Sequence, residues 1–185
     1  MPHVHRILLL MFALDIGTVT HARELPTAPS GFVWVAFEEA KSAFLKPDGW
    51  FVKREVRDGT AALFISKEDI EAVGQFETGL TLNYIDDVRK KVGQSPSKYA
   101  AGMLGVMASQ LTVLKSLEEE DIAPGIAGYT LRCKSGSGPP KIMHYFILAD
   151  DSADTLRLII FEAPFAKWDE AWKVGELMTK PNMWK

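Results

Sequence analysis

The sequence predicts an α+β fold in which helices lie above and below one antiparallel sheet. Three observations carry this. Short apolar segments separated by turn signals recur along the chain, and two of them flank Asp58-Gly59, a strong hairpin signal. Two late segments, Ile142 to Leu148 and Leu156 to Phe161, are largely apolar in both alternating sets, so their sheet needs cover on both faces. Two further stretches, opening at Ser95-Pro96 and at Pro164-Phe165, place apolar residues at three- and four-residue steps, as amphipathic helices do.

Bulk properties bound the function. The 185 residues are 47% hydrophobic and 24% charged, values that exclude disorder, collagen-like repeats and coiled coil. With 21 Lys+Arg against 24 Asp+Glu the net charge is −3, and the aromatics are not interleaved with a basic cluster. Nucleic acid is therefore not an expected partner. A single Cys excludes an intramolecular disulfide framework and a multi-Cys zinc site.

Residues 1–22 read as a secretory signal peptide. Arg6 precedes the apolar run Ile7 to Leu14, and small residues at Thr20 and Ala22 place cleavage after Ala22. Asp15 at the end of the run departs from that pattern. The run is too short to span a bilayer, so no stable membrane anchor is expected after cleavage, and the location is exported, periplasmic or extracellular. Residues 23–31, with two prolines and little to bury, read as a flexible leader, and residues 32–185 as a single globular domain. Cleavage removes His3, His5 and His21, which leaves His144 as the only histidine.

The elements follow in order. Phe32 to Phe37 and Ser42 to Leu45 fit two short strands, although a helix over 35–45 also fits their length. Lys46-Pro47-Asp48-Gly49 fits a type I turn, with Pro at its second position. Around Asp58-Gly59 a two-residue loop pairs 57 with 60, 56 with 61, 54 with 63 and 52 with 65. One face then holds Trp50, Val52, Val56, Ala61, Leu63 and Ile65. Arg54 falls on this face, as a ligand-pairing arginine or as a snorkelling arginine at the sheet rim, the latter being preferred.

Residues 67–78 read mostly as loop, Leu80 to Ile85 as a strand, and 86–93 as a short helical turn. The one long helix opens at Ser95-Pro96 and carries Tyr99, Met103, Val106, Met107, Leu111, Leu114 and Leu117 toward the core. Gly102 and Gly105 would let it approach the sheet closely, and the acidic run Glu118 to Asp121 would end it. Three strands follow, Ile126 to Cys133, Ile142 to Ala149 and Leu156 to Glu162. A last helix runs to about Met178, with Trp168, Ala171, Trp172, Gly175 and Met178 as its stripe.

Chemistry is scarce. None of the common phosphate-binding, zinc-protease, nucleophile-elbow or dithiol motifs is present. Asp150-x-Ser152-x-Asp154 lacks the Gly and Glu of a calcium loop and reads as a turn. Cys133 and His144 are the remaining thiol–imidazole pair. Pairing 133 with 141 would put them on opposite faces, and both read as core residues. The expectation is no catalytic residue, no cofactor and no metal.

The run Phe44-Leu-Lys-Pro-Asp-Gly-Trp50, the hairpin strand Thr60 to Ile65 and the strand Gly79 to Ile85 form a familiar order with the Ser-Pro-Ser helix, three meandering strands and a terminal helix after Ala163-Pro164. Over roughly residues 40–180 the chain resembles the PsbP-like family, small exported proteins related to the extrinsic photosystem II subunit PsbP. The resemblance implies an α/β/α sandwich with a central antiparallel sheet and a non-enzymatic binding role. It gives no link to photosynthesis, and no metal role is carried over to His144. The expected function is an exported accessory protein with a protein-partner surface. The alternatives are a small-ligand or lipid carrier with a pocket lined by Trp50, Met103, Met107 and Tyr145, and lastly a hydrolase using His144 or Cys133.

Overall fold

The computed structural model describes residues 25–57, 60–135 and 139–183. The signal-peptide reading, Asp58-Gly59 itself and part of the Gly/Ser loop therefore lie outside the described residues.

Two short strands, β1 (Phe32–Phe37) and β2 (Ser42–Pro47), pair antiparallel around a 3₁₀ turn, Glu38–Ala40. The turn ends at Lys41, in the left-handed conformation. Upstream, Trp34 Nε1 donates to the Pro26 carbonyl at 2.6 Å and Phe32 N–H to the Pro29 carbonyl at 3.1 Å, so this stretch of the leader lies back on β1. The following turn sits one residue later than expected. Trp50 N–H donates to the Pro47 carbonyl at 3.2 Å, and Gly49, third in the turn, takes a φ of +75°, as a type II turn requires.

The hairpin pairs β3 (Phe51–Arg57) with β4 (Thr60–Ser66) in the expected register, Arg57 with Thr60 and Arg54 with Leu63. The shared face is also as expected, and only the burial along it differs. Leu63 and Ile65 are buried, whereas Val52 and Val56 are exposed. The cause is position: β3 is an edge strand. A short helix, α1 (Ile70–Val73), interrupts the loop before β5 (Gly79–Ile85), and α2 (Val88–Val92) follows β5.

The long helix α3 (Pro96–Gln110) opens as expected, with the Ser95 hydroxyl accepting from Lys98 N–H and Pro at the first position. Asp151 adds a second cap, accepting from Ser97 N–H at 2.9 Å and from its hydroxyl at 2.6 Å. The far end corrects the sequence reading. The helix stops at Leu111, and the residues assigned to its last turns form strand β6 (Thr112–Ala123). A helix through Asp121 would have put four carboxylates at its negative pole, and Thr112-Val113 favours strand. Val106 and Leu114 are exposed, and the buried line is Pro96, Ala100 and Leu104. Gly102 and Gly105 face open space, so they serve no close approach to the sheet.

Strands β7 (Ile126–Lys134), β8 (Lys141–Asp150) and β9 (Thr155–Pro164) complete a seven-stranded antiparallel sheet in the order β3-β4-β5-β9-β8-β7-β6. Helix α4 (Trp168–Met178) follows a 3₁₀ turn, and β10 (Asn182–Met183) joins β2. As the edge strand beside β7, β6 is charged and irregular in register, both features that blunt unwanted edge pairing.

Cover on both faces is realised by two cores. On one face Leu63, Ile65, Leu82, Ile159 and Phe161 meet Phe37 and Phe44 of the small sheet and Trp168 and Met178 of α4. On the other Leu131, Cys133, Tyr145, Ile147 and Leu156 meet Ala100 and Leu104 of α3 and Val88 of α2. Arg157 on β9 bonds the two sheets, its Nε and Nη2 donating to the Ala40 carbonyl at 3.1 and 3.0 Å.

Helix α4 approaches the sheet at Gly175, which is buried, and a Cβ built there would stand 2.5 Å from the Phe161 ring. Ala in place of a helix-interior Gly ordinarily stabilises by about 1 kcal/mol. Here overpacking against a ring with no exposure costs about 1–3 kcal/mol and outweighs that gain. Gly175→Ala is therefore expected to lower the urea midpoint at unchanged slope; a raised midpoint would refute the close contact.

Candidate functional site

Helix α4 packs on β9 and β5 of the large sheet and on β2 of the small one, and its tryptophans reach over Arg132 of β7 and His144 of β8. Between α4 and strands β6 to β8 lies a cleft of about 440 Å³, lined among others by Lys115, Glu120, Arg132, His144, Trp172 and Glu176. That volume is within the range of ligand clefts. A second concavity, about 350 Å³ beside α1, has Lys141 and Glu162 in its wall. Their ion pair at 3.2 Å already satisfies its charges.

The cleft floor follows from register. Arg132 on β7 and His144 on β8 are direct cross-strand partners, so both side chains leave the same face. The wall follows from helical spacing. Trp168 and Trp172 are four residues apart on α4 and stack at 5.3 Å between ring centroids. The Arg132 guanidinium carbon lies 4.2 Å from the Trp172 ring centroid and 5.0 Å from that of Trp168. The His144 ring packs 4.4 Å from Trp172.

His144 is 7% exposed, and its Nδ1 has no hydrogen-bond partner among the described residues. Burial, reinforced by the positive charges of Arg132 and Lys115, pushes its pKa down to about 3. The imidazole is therefore neutral at physiological pH and a very weak base, which makes it poorly suited to proton abstraction. Arg132 makes no ion pair among the described residues, and its buried Nε has no acceptor.

The other residues read from the sequence lie elsewhere. Cys133 is fully buried in the α3-side core, with its thiol pKa raised by burial. It pairs with Met143, not with residue 141. The register differs from expectation by two residues, an even shift, so Cys133 and His144 still face opposite sides of the sheet. They form no nucleophile–base couple. Arg54 stands at the opposite sheet edge, exposed, donating to the Ala36 carbonyl of β1; this is the rim role. The carrier pocket also fails to assemble. Trp50 packs on the α4 side, whereas Met103, Met107 and Tyr145 pack on the α3 side, with the sheet between them.

The turn Asp150 to Asp154 commits its carboxylates within the chain. Asp150 accepts from Ser152 and Ala153, Asp151 from Ser97, and Asp154 from Arg89 N–H at 3.1 Å. Asp154 itself has a φ of +56°.

Sequence reasoning did not single out Arg132. Its signal was present: one permanent cation set between Leu131 and Cys133 in an apolar strand, beside the strand that carries the last histidine.

The fold is that of known proteins. The solution structure of cyanobacterial PsbP (CyanoP) from Synechocystis sp. PCC 6803 matches with a TM-score of 0.52 at 13% identity, covering 85% of this chain and 95% of that one. The crystal structure of the Saccharomyces cerevisiae Ran-binding protein Mog1p matches at 0.48 and 11% identity, over 82% and 95% of the two chains. No protein-family model and no curated protein sequence matches the chain. The likeness to cyanobacterial PsbP shows the α/β/α architecture and, at that identity, the fold alone.

Proposed function

We propose that this chain is an exported, non-enzymatic accessory protein of PsbP-like type that docks a protein partner through the cleft between α4 and the β6–β8 face. One observation carries the reading. An arginine with no ion pair among the described residues is held against two stacked tryptophans at the wall of an open cleft. Arg and Trp are the side chains that most often dominate protein interfaces, because they bring large contact area at a fixed geometry. The neutral, weakly basic His144 and the distant Cys133 support binding over turnover. Export rests on the order of charge, apolar run and small-residue site in residues 1–22.

Affinity capture from the exported fraction with the native chain is expected to retain one partner at near-equal stoichiometry. Trp172→Ala, chosen because it removes the plate under Arg132, is expected to lose that partner. Recovery of nothing above background, or equal recovery by both chains, counts against the cleft. Export has its own test: the N-terminus of the exported chain is expected at Arg23, and a retained Met1 there overturns the cleavage.

A further inference from the structure

We infer that the cleft recognises a carboxylate, presented by an acidic side chain of the partner and received by the Arg132 guanidinium. The inference rests on the partner-binding reading and names the chemistry of its anchor.

The charges of the cleft lead to this assignment. Of its cations, Lys180 is held by Glu176 at 3.4 Å, and Lys115 also has a partner within the chain. Arg132 makes no ion pair among the described residues; Glu176, itself paired with Lys180, acts on it only as a more distant charge. It is half-buried, its π contacts fix the guanidinium plane, and its buried Nε is left without an acceptor. A partly buried guanidinium with an unused N–H is a costly arrangement in the free protein. A carboxylate offsets that cost, since its two oxygens match the guanidinium fork and charge-assisted bonds are about twice as strong as neutral ones. Burial already works against the charged form of Arg132, so an incoming anion has more to gain there than at a solvated lysine.

The surroundings select the source of the carboxylate. The cleft is open and reaches edge strand β6 through Lys115 and Glu120, and Phe146 and Trp172 give it an apolar lining. A free small acid is usually enclosed over most of its surface, whereas an open cleft with apolar residues in its lining suits a side chain delivered on a protein segment. Glu120 and Glu176 at the margin repel a strongly acidic run, so the segment that fits carries one acid amid apolar residues.

The test uses the full chain and a defined probe: a short peptide, capped at both ends, with one Asp between two Leu, its Asn twin, and sodium acetate. The readout is the NMR shift of the Arg132 Nε–H and Trp172 indole N–H signals. The Asp peptide is expected to shift both saturably, and the Asn twin to bind about 10- to 100-fold more weakly. Arg132→Gln is expected to abolish the effect. Arg132→Lys keeps the charge but loses the fork, and is expected to weaken binding about tenfold with the fold intact by circular dichroism. Equal binding of the Asn twin, or no shift at about 10 mM peptide, overturns the inference. Acetate binding as well as the peptide overturns the protein source. A partner captured equally by native and Arg132→Gln chains leaves partner docking standing and removes the carboxylate anchor.

Discussion

Phe161→Ala is expected to destabilise the chain by about 3–5 kcal/mol, the range for removing a fully buried aromatic ring. Phe161 has no exposure and stands at the centre of the α4-side core. Its ring meets Trp168 and Trp172 edge-on, each at 5.9 Å between centroids, and lies under Gly175. The upper end of the range applies because the site cannot collapse. The sheet on one side is fixed by pairing on both edges of β9, to β5 and β8. On the other side α4 is held at both ends, by the Phe165 N–H to Pro140 carbonyl bond of 2.8 Å and by β10 pairing with β2. The lost ring therefore leaves a void. Urea denaturation measures the loss, and tryptophan fluorescence is expected to shift red as Trp168 and Trp172 loosen. A cost below about 1.5 kcal/mol would mean that α4 resettles onto the sheet and that its seat is not set by this ring.

Legibility in the sequence followed the range of the forces involved. Strand β4 and its register were readable because a two-residue turn fixes pairing locally. The separation of Cys133 from His144 was readable because face depends only on parity, and it survived a register that moved by two residues. The α3–β6 boundary was not. Leu111, Leu114 and Leu117 extend a helical pattern as well as a strand, and only pairing to β7 decides between them. Methionines and tryptophans that looked able to share one pocket were divided by the sheet, a long-range fact that no window of residues contains. The cleft belongs to the same class. It lies where α4, seated on β9 and β5, meets strands β6 to β8, and Arg132 gains its meaning only beside two tryptophans some 40 residues downstream.

The stability of the chain is expected to fall as pH drops from about 6.5 toward 3, with His144 responsible for much of that slope. An unfolded chain protonates this imidazole near its ordinary value of 6.5, whereas in the folded chain burial, then the charges of Arg132 and Lys115, hold it neutral down to about 3. Between those values the unfolded state binds more protons, so unfolding free energy rises with pH and is lost on acidification. The contribution is complete above 6.5 and falls by up to about 1.4 kcal/mol per pH unit, or about 2 kcal/mol by pH 5. Every charge lining the cleft weighs on this. Arg132 and Lys115 oppose protonation, and Lys180, Glu120 and Glu176 are the other charges that line the cleft. Asp86 and Asp150, whose carboxyls are held below the usual range, act only at more acidic pH and leave the upper part of the window to histidine. His144→Gln keeps much of the volume and cannot titrate. Urea midpoints measured from pH 7 to 4.5 are expected to slope steeply in the native chain and much less in the variant. Equal slopes would mean that His144 protonates freely in the folded state, and that the ring stands in water instead of against Trp172.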